Sequence, residues 1–233
     1  MRIGLLEAET LPDKVVKQYG SYGDMFQRLL APAQPNWQFQ TYPVDRGELP
    51  NLVDDCDAYI ITGSRHNAYD RDDWIEDLKA FIREIDNKRK KCLAICFGHQ
   101  VVAEALGGKV EKSHKGWGIG PADFNILATP TWMTQKPQKF TILVSHQDQV
   151  IKEAANATVF AGNDFCPIGG MNIGNHFLTL QGHPEFTPTY LSRLIAKRRQ
   201  VIGDEKSDKS LKLLDKYQQD PLPLAIIRDF FAA

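Results

Sequence analysis

Between Arg2 and Gly108 the chain alternates short apolar runs with stretches of helical period, and this alternation limits the fold more than any other feature. "RIGLLEAE" reads as a buried strand. "YGDMFQRLLA" places Met25, Phe26, Leu29 and Leu30 on one helix face. "WQFQTYPV" alternates like a strand, and "DAYIITGS" is an apolar strand that breaks at Gly63. "DDWIEDLKAFIREIDNKRK" predicts a helix with Trp74, Leu78, Phe81, Ile82 and Ile85 on one face and acids at its start, where the helix dipole favours them. "KCLAI" is the next strand, and a helix from Gly98 to Leu106 follows it. Strand and helix in turn predict an α/β fold, an open, mostly parallel twisted sheet with helices on both faces.

After Gly108 the pattern changes. "KVEKSHKGWGIGPADFNIL", "KFTILVSHQDQVI", "ATVFAGND", "CPIGGMNIG" and "HFLTLQGHPEF" are strand-like, with Gly, Pro and Asn between them, so extra antiparallel strands are expected. From Thr187 the tail reads as helices, "PTYLSRLIAKRRQVI", "KSLKLLDKY" and "LPLAIIRDFFAA", with an exposed charged link at "GDEKSDKS". The 233 residues, 42% of them hydrophobic, suffice for one domain with a substantial core, alone or with an appendage. A net charge of −1 without a basic run argues against partners such as nucleic acid or a membrane surface. No apolar run approaches the roughly 18 residues of a membrane span. The start, "MRIGLLEAET", turns acidic too early for a secretory signal. The four cysteines, Cys56, Cys92, Cys96 and Cys166, form no C-x-x-C pair, so free thiols in a reducing cytoplasm are expected. No Cys/His cluster has zinc spacing and no glycine-rich nucleotide loop is present, so neither a metal nor a cofactor is expected.

"LAICFGHQVVAEALGG" holds the chemistry. Cys96 stands where an apolar strand ends and a helix begins. Ligands collect at the carboxyl ends of strands in open parallel sheets, and the unpartnered N–H groups at a helix start favour thiolate over thiol. A free cysteine has a pKa near ~8.5, so such a field matters at neutral pH. The elbow also directs the next amide, that of Phe97, at a bound carbonyl, and Gly98 carries no side chain to obstruct it. The same residues would equally suit a buried structural cysteine at a strand end.

A thiol nucleophile needs a base, and the base needs a third group to hold its tautomer. Of six histidines, His183 is distinctive. It follows an apolar strand and Gly182, and Pro184 stiffens the link to Glu185, whose carboxylate can take the proton of the distal imidazole nitrogen. In isolation a surface histidine beside a surface acid is the better reading of the pair. The Gly63 amide, at another strand end, offers a second donor to an oxyanion beside that of Phe97.

"ITGS", "ICFGHQ" and "QGHPE", in this order and spacing, resemble the class I (triad) glutamine amidotransferases over about residues 1–190. The stretches "ITGSRHNAYD", "ICFGHQ" and "HQDQV" look most like the stand-alone branch, which includes plant γ-glutamyl peptidases. The resemblance implies a flavodoxin-like catalytic domain over 1–190, with 191–233 as a helical extension packed on it or serving as an oligomer contact. It implies a Cys96–His183–Glu185 triad and an oxyanion hole from Gly63 and Phe97. It also implies contacts to a glutamine-like substrate from Gln100 and from His146, Gln147 and Asp148. The chemistry implied is attack of the thiolate on a side-chain amide and hydrolysis of a γ-glutamyl thioester. The chain departs from many relatives in having Thr62-Gly63-Ser64 for Gly-Gly-Pro, Gln181 for Glu, and Gln147 for Gly. Two enzymatic readings follow: a stand-alone γ-glutamyl peptidase, as monomer or homodimer, and a glutaminase subunit that passes ammonia to a separate synthetase partner. The intact triad argues against a third, a non-catalytic regulator.

Overall fold

A computed structural model describes all 233 residues. Its elements are β1 (Arg2–Glu7), α1 (Asp13–Tyr19), α2 (Tyr22–Leu30), β2 (Gln38–Pro43), β3 (Ala58–Ile61), α3 (Asp73–Lys88), β4 (Lys91–Ile95) and α4 (Phe97–Ala105). Then come β5 (Lys109–Lys112), β6 (Gly118–Ile126), β7 (Lys139–His146), β8 (Asp148–Lys152), β9 (Ala157–Gly162), β10 (Gly170–Ile173) and β11 (Phe177–Leu180), followed by α5 (Pro188–Ile202), α6 (Asp204–Leu214) and α7 (Leu222–Ala232).

Nine strands form one sheet in the order β2-β1-β3-β4-β11-β10-β9-β6-β7, and β5 and β8 form a separate ribbon. The pairings from β2 through β11 are parallel, and those from β11 through β7 are antiparallel. The expected architecture, mostly parallel with added antiparallel strands, is what the chain adopts. The central strands are buried on both faces because alternate side chains enter different cores. Ile3, Leu5, Ala58, Ile60, Leu93 and Ile95 pack with Phe26, Leu30, Ile227 and Phe230 on one face. Leu6, Tyr59, Ile61, Cys92 and Ala94 pack with Leu78, Ile82, Ile85 and Val101 on the other. Each fully buried aliphatic side chain contributes roughly 1.5–3 kcal/mol.

Two sequence expectations change. Helix α1 was not foreseen; its seven residues bury little more than Val15, too weak a stripe to show a helical period. The charged stretch "GDEKSDKS" is exposed over most of its length, as expected, but it is no link: it forms the first turns of α6. Arg199 binds Asp204 and Asp208, at 2.6 and 2.7 Å, and so draws α6 against α5, while Ser207 and Ser210 are buried. Ser210 Oγ donates to the Ile119 carbonyl, which fixes α6 on β6. Helix α7 closes one face of the sheet through Ile226, Ile227 and Phe230.

Gly98 has a different reason than the sequence offered. A Cβ there would lie 2.6 Å from the Ile61 carbonyl oxygen and 3.1 Å from Ile61 Cβ, so the missing side chain lets α4 lie against β3 rather than clearing a path for substrate. Because the obstacle is backbone, Gly98→Ala is expected to cost about 1–3 kcal/mol and to lower the thermal midpoint, as measured by circular dichroism. An unchanged midpoint would contradict this packing.

Candidate active site

Strands β3, β4 and β11 are parallel neighbours whose carboxyl ends lie side by side, Ile61 beside Ala94 and Ile95 beside Leu180. Residues just past those ends therefore converge: Gly63 from β3, Cys96 from β4 and His183 from β11. A Cβ placed on Gly63 would stand 2.9 Å from His183 Cε1 and 3.7 Å from Cys96 Cβ, so any larger residue would displace the imidazole.

Cys96 caps α4 with φ 55° and ψ −101°, a conformation L-residues rarely adopt. Such strain costs on the order of 1–3 kcal/mol and persists only where surroundings enforce it. Here the Cys96 N–H donates to the Leu180 carbonyl at 2.8 Å, and the Cys96 carbonyl accepts from the Gln100 N–H at 3.0 Å. Phe97 is the first residue of α4, so its N–H has no helical acceptor one turn back and points with the helix start.

His183 is held from three sides. Its backbone N–H donates to Leu143 of β7 at 2.7 Å. Its ring stacks on Phe186 with centroids 3.8 Å apart and planes 7° apart. Its Nδ1 donates to Glu185 Oε1 at 2.7 Å. That bond leaves Nε2 as the nitrogen open to a proton from elsewhere. Burial alone disfavours the imidazolium, but the Glu185 carboxylate and the neighbouring Cys96 outweigh it and raise the His183 pKa well above its ordinary value. The Glu185 side chain is wholly buried, and its second oxygen has no partner in the protein. The carboxylate is thus committed to the imidazole.

His99 and His176 are otherwise engaged. His99, beside the elbow in sequence, points under the sheet, where its Nε2 donates to the Ile168 carbonyl at 3.0 Å and its Nδ1 meets the Thr179 hydroxyl at 2.8 Å. Burial lowers its pKa to about 3. His176 pairs with Asp86 at 2.7 Å, far along the sheet at the opposite ends of the strands.

A cavity of about 160 Å³ opens on Cys96 and is lined by Gln100, His146, Gln147 and Asp148, so the structure gathers all four residues expected to contact substrate. Their roles within it differ. The Gln100 amide N–H groups are spent on the Asp148 carbonyl at 2.8 Å and on Gln181 Oε1 at 3.1 Å, which leaves its own carbonyl for the cavity. His146 donates from Nδ1 to the same Asp148 carbonyl at 3.0 Å, and burial lowers its pKa to about 4, so it is neutral at neutral pH. The Asp148 carboxyl is raised by burial, against the Tyr69 hydroxyl and Lys112, which favour its charge. Lys112 lies directly across from Asp148 in the β5–β8 ribbon. Gln147 accepts from the Ser113 N–H through its backbone carbonyl at 3.1 Å, tying the same ribbon to the site.

Eight of the thirteen lining residues were not expected there, among them Arg65, Lys112, Trp117, Ser145 and Arg198. Arg198 comes from α5, which reads as an ordinary amphipathic helix. Only the fold brings its Nη1 to Ser145 Oγ at 2.7 Å and its guanidinium over the Trp117 ring, 5.5 Å from the centroid.

The model of the class I glutamine amidotransferase family matches residues 15–200. "Gamma-glutamyl peptidase 3" of Arabidopsis thaliana is 29% identical over 229 residues, covering 94% of this chain and 91% of that protein. "Gamma-glutamyl peptidase 4" of the same plant is 33% identical over 186 residues, covering 77% and 73%. Among solved structures, a glutamine amidotransferase from Thermotoga maritima superposes with a TM-score of 0.78 at 19% identity, covering 99% of this chain and 96% of that one. By family model, by relatives spanning most of its length and by fold, the chain belongs to the class I glutamine amidotransferases.

Proposed function

We propose that the protein hydrolyses γ-glutamyl amides through a Cys96 thiolate, acting alone as a γ-glutamyl peptidase. The observation that carries this reading is the convergence of a strained strand-end Cys96 with a buried His183–Glu185 pair beside Gly63. Support also comes from the γ-glutamyl peptidases of Arabidopsis, which match over most of both chains.

In this mechanism the Cys96 sulfur attacks the γ-carbonyl carbon while the carbonyl π electrons move onto oxygen. The Gly63 and Phe97 N–H groups stabilise that oxyanion, and each such donor is typically worth about 3 kcal/mol in the transition state. The C–N bond then breaks as the His183 imidazolium delivers its proton to the leaving amine, giving a γ-glutamyl thioester. Water, deprotonated by His183 Nε2, attacks the thioester. Glutamate leaves and the thiolate returns. Glu185 holds the imidazole orientation throughout and counters its charge.

Asp148 and Lys112, opposite charges side by side, suit the α-ammonium and α-carboxylate of the γ-glutamyl group. Acetylating the α-amino group is therefore expected to lower kcat/KM by about 10²-fold or more, because the half-buried Asp148 loses its charged partner. Glutamate release from paired free and blocked substrates measures this. Equal rates would make the enzyme a broader cysteine hydrolase.

A glutaminase that delivers ammonia to a synthetase is the second reading, since an Aeropyrum pernix "GMP synthase [glutamine-hydrolyzing]" is 32% identical over 104 residues, 20% of its own length. Purified protein offered glutamine and a panel of γ-glutamyl peptides separates the two. Preferred cleavage of peptides without a partner supports the peptidase, and glutamine turnover that needs an added synthetase supports the subunit.

A further inference from the structure

We propose that Arg198 is a specificity-determining residue that binds a carboxylate on the leaving amine, so that the favoured substrates are γ-glutamyl amino acids or peptides rather than glutamine. The inference rests on the γ-glutamyl hydrolase reading above.

Arg198 is half-buried, and its guanidinium makes one hydrogen bond, to the neutral Ser145 hydroxyl, and one stacking contact, on Trp117. No carboxylate pairs with it, whereas its neighbour Arg199 holds two. A guanidinium presents five N–H donors in a planar fork that matches a carboxylate, and withdrawing it from water without an anion is unfavourable. Ser145 and Trp117 fix its direction, so little side-chain entropy is lost when an anion docks. The surroundings are those of a receptor awaiting a partner rather than of a structural ion pair.

Charge balance indicates which carboxylate it takes. The cavity over Cys96 is lined by three cationic side chains, Arg65, Lys112 and Arg198, and by one carboxylate, Asp148. The γ-glutamyl group has one positive and one negative end, which the cross-strand neighbours Asp148 and Lys112 match. Glutamine adds only a neutral amide and would leave two cations, the exposed Arg65 and the half-buried Arg198, without an anion. A leaving amine that carries a carboxylate answers Arg198, the one partly withdrawn from water, while Arg65 stays solvated.

Position agrees with charge. Trp117 and His146 line both this cavity and an adjoining, more apolar one of about 240 Å³ that includes Ile119, Phe124 and Phe165. Arg198, stacked on Trp117, stands where the first cavity gives onto the second. An amino acid leaving group could place its carboxylate on Arg198 and an apolar side chain beyond Trp117.

The test compares γ-glutamyl-phenylalanine with γ-glutamyl-phenylalanine amide, which differ only in the leaving-group carboxylate, in the wild type, Arg198→Lys and Arg198→Gln. The wild type is expected to favour the acid by about 10- to 100-fold in kcat/KM, mainly through KM, as for a charge-assisted bidentate pair. In Arg198→Gln that ratio should fall toward unity, and Arg198→Lys, which keeps the charge but not the fork, should lie between. A wild type that cleaves both equally overturns the inference without touching the hydrolase reading. So does Arg198→Gln losing both substrates in proportion, which would assign the arginine to the γ-glutamyl end. A wild type that cleaves neither, nor any other γ-glutamyl amide, overturns the hydrolase reading and this inference with it. Should Arg198→Gln not fold, the wild-type ratio alone still decides against the inference if it is near one.

Discussion

Cys96→Ala is expected to lower γ-glutamyl hydrolysis by about 10⁴-fold or more while the protein stays folded, because in the proposed mechanism the thioester forms on this sulfur alone. The other three thiols are poor substitutes. Burial pushes Cys56 and Cys92 up, and Cys166 up to about 12, so each stays a protonated thiol at neutral pH. A glutamine-mimicking electrophile should therefore add once to the wild type and not at all to Cys96→Ala, as read by intact-protein mass. An adduct on the variant would assign the nucleophile elsewhere. The backbone supplies an independent check. At φ 55° and ψ −101° glycine is less strained than any residue with a Cβ, so Cys96→Gly is expected to melt higher than Cys96→Ala. In most positions the order is the reverse. The site holds its sulfur at a cost in stability, and two inactive variants make that cost measurable.

Glu185→Gln is expected to reduce kcat by about 10³- to 10⁴-fold with little change in KM, since the residue touches His183 and does not line the cavity over Cys96. The pH profile distinguishes this from a general loss of structure. The carboxylate is a principal reason why the His183 pKa lies above its ordinary value. Removing its charge lowers that pKa, so the imidazolium that in the proposed mechanism protonates the leaving amine is lost at lower pH. The alkaline limb of kcat/KM should accordingly move to lower pH in Glu185→Gln. A profile of unchanged shape, or an effect confined to KM, would place Glu185 in substrate recognition instead. Glutamine can also turn its amide N–H toward Nδ1 and favour the wrong tautomer, which adds to the loss.

Much of the fold was open to reading because its parallel half repeats one local rule. Strands β1, β3 and β4 are buried on both faces and read as continuous apolar runs, and α2 and α3 bury one stripe each at helical period. Helix α1 and the start of α6 escaped because neither has such a stripe. The first buries too little, and the second begins in charges that pair with Arg199 of another helix. Of the site, the elbow at Cys96 and the His183-Pro184-Glu185 run were legible, since their geometry is set within a few residues. Arg198, Trp117 and Ser145 were not, because they come from α5, from the loop before β6 and from β7, whose meeting no local pattern announces.

By itself the sequence determined the helices and strands around the elbow, the position of Cys96 between a strand and a helix, and the short reach from His183 to Glu185. Those features follow from side-chain periodicity and from the stiffness of Pro184, both of which act over a few residues. Only the tertiary structure decided that β11 lies beside β4, with Leu180 against Ile95, so that His183 arrives at Cys96 from far along the chain. It likewise decided that α5 brings Arg198 over Trp117. Register between distant strands and the seat of a helix on a sheet are set by which apolar faces bury each other best, and that is a property of the whole core rather than of any segment.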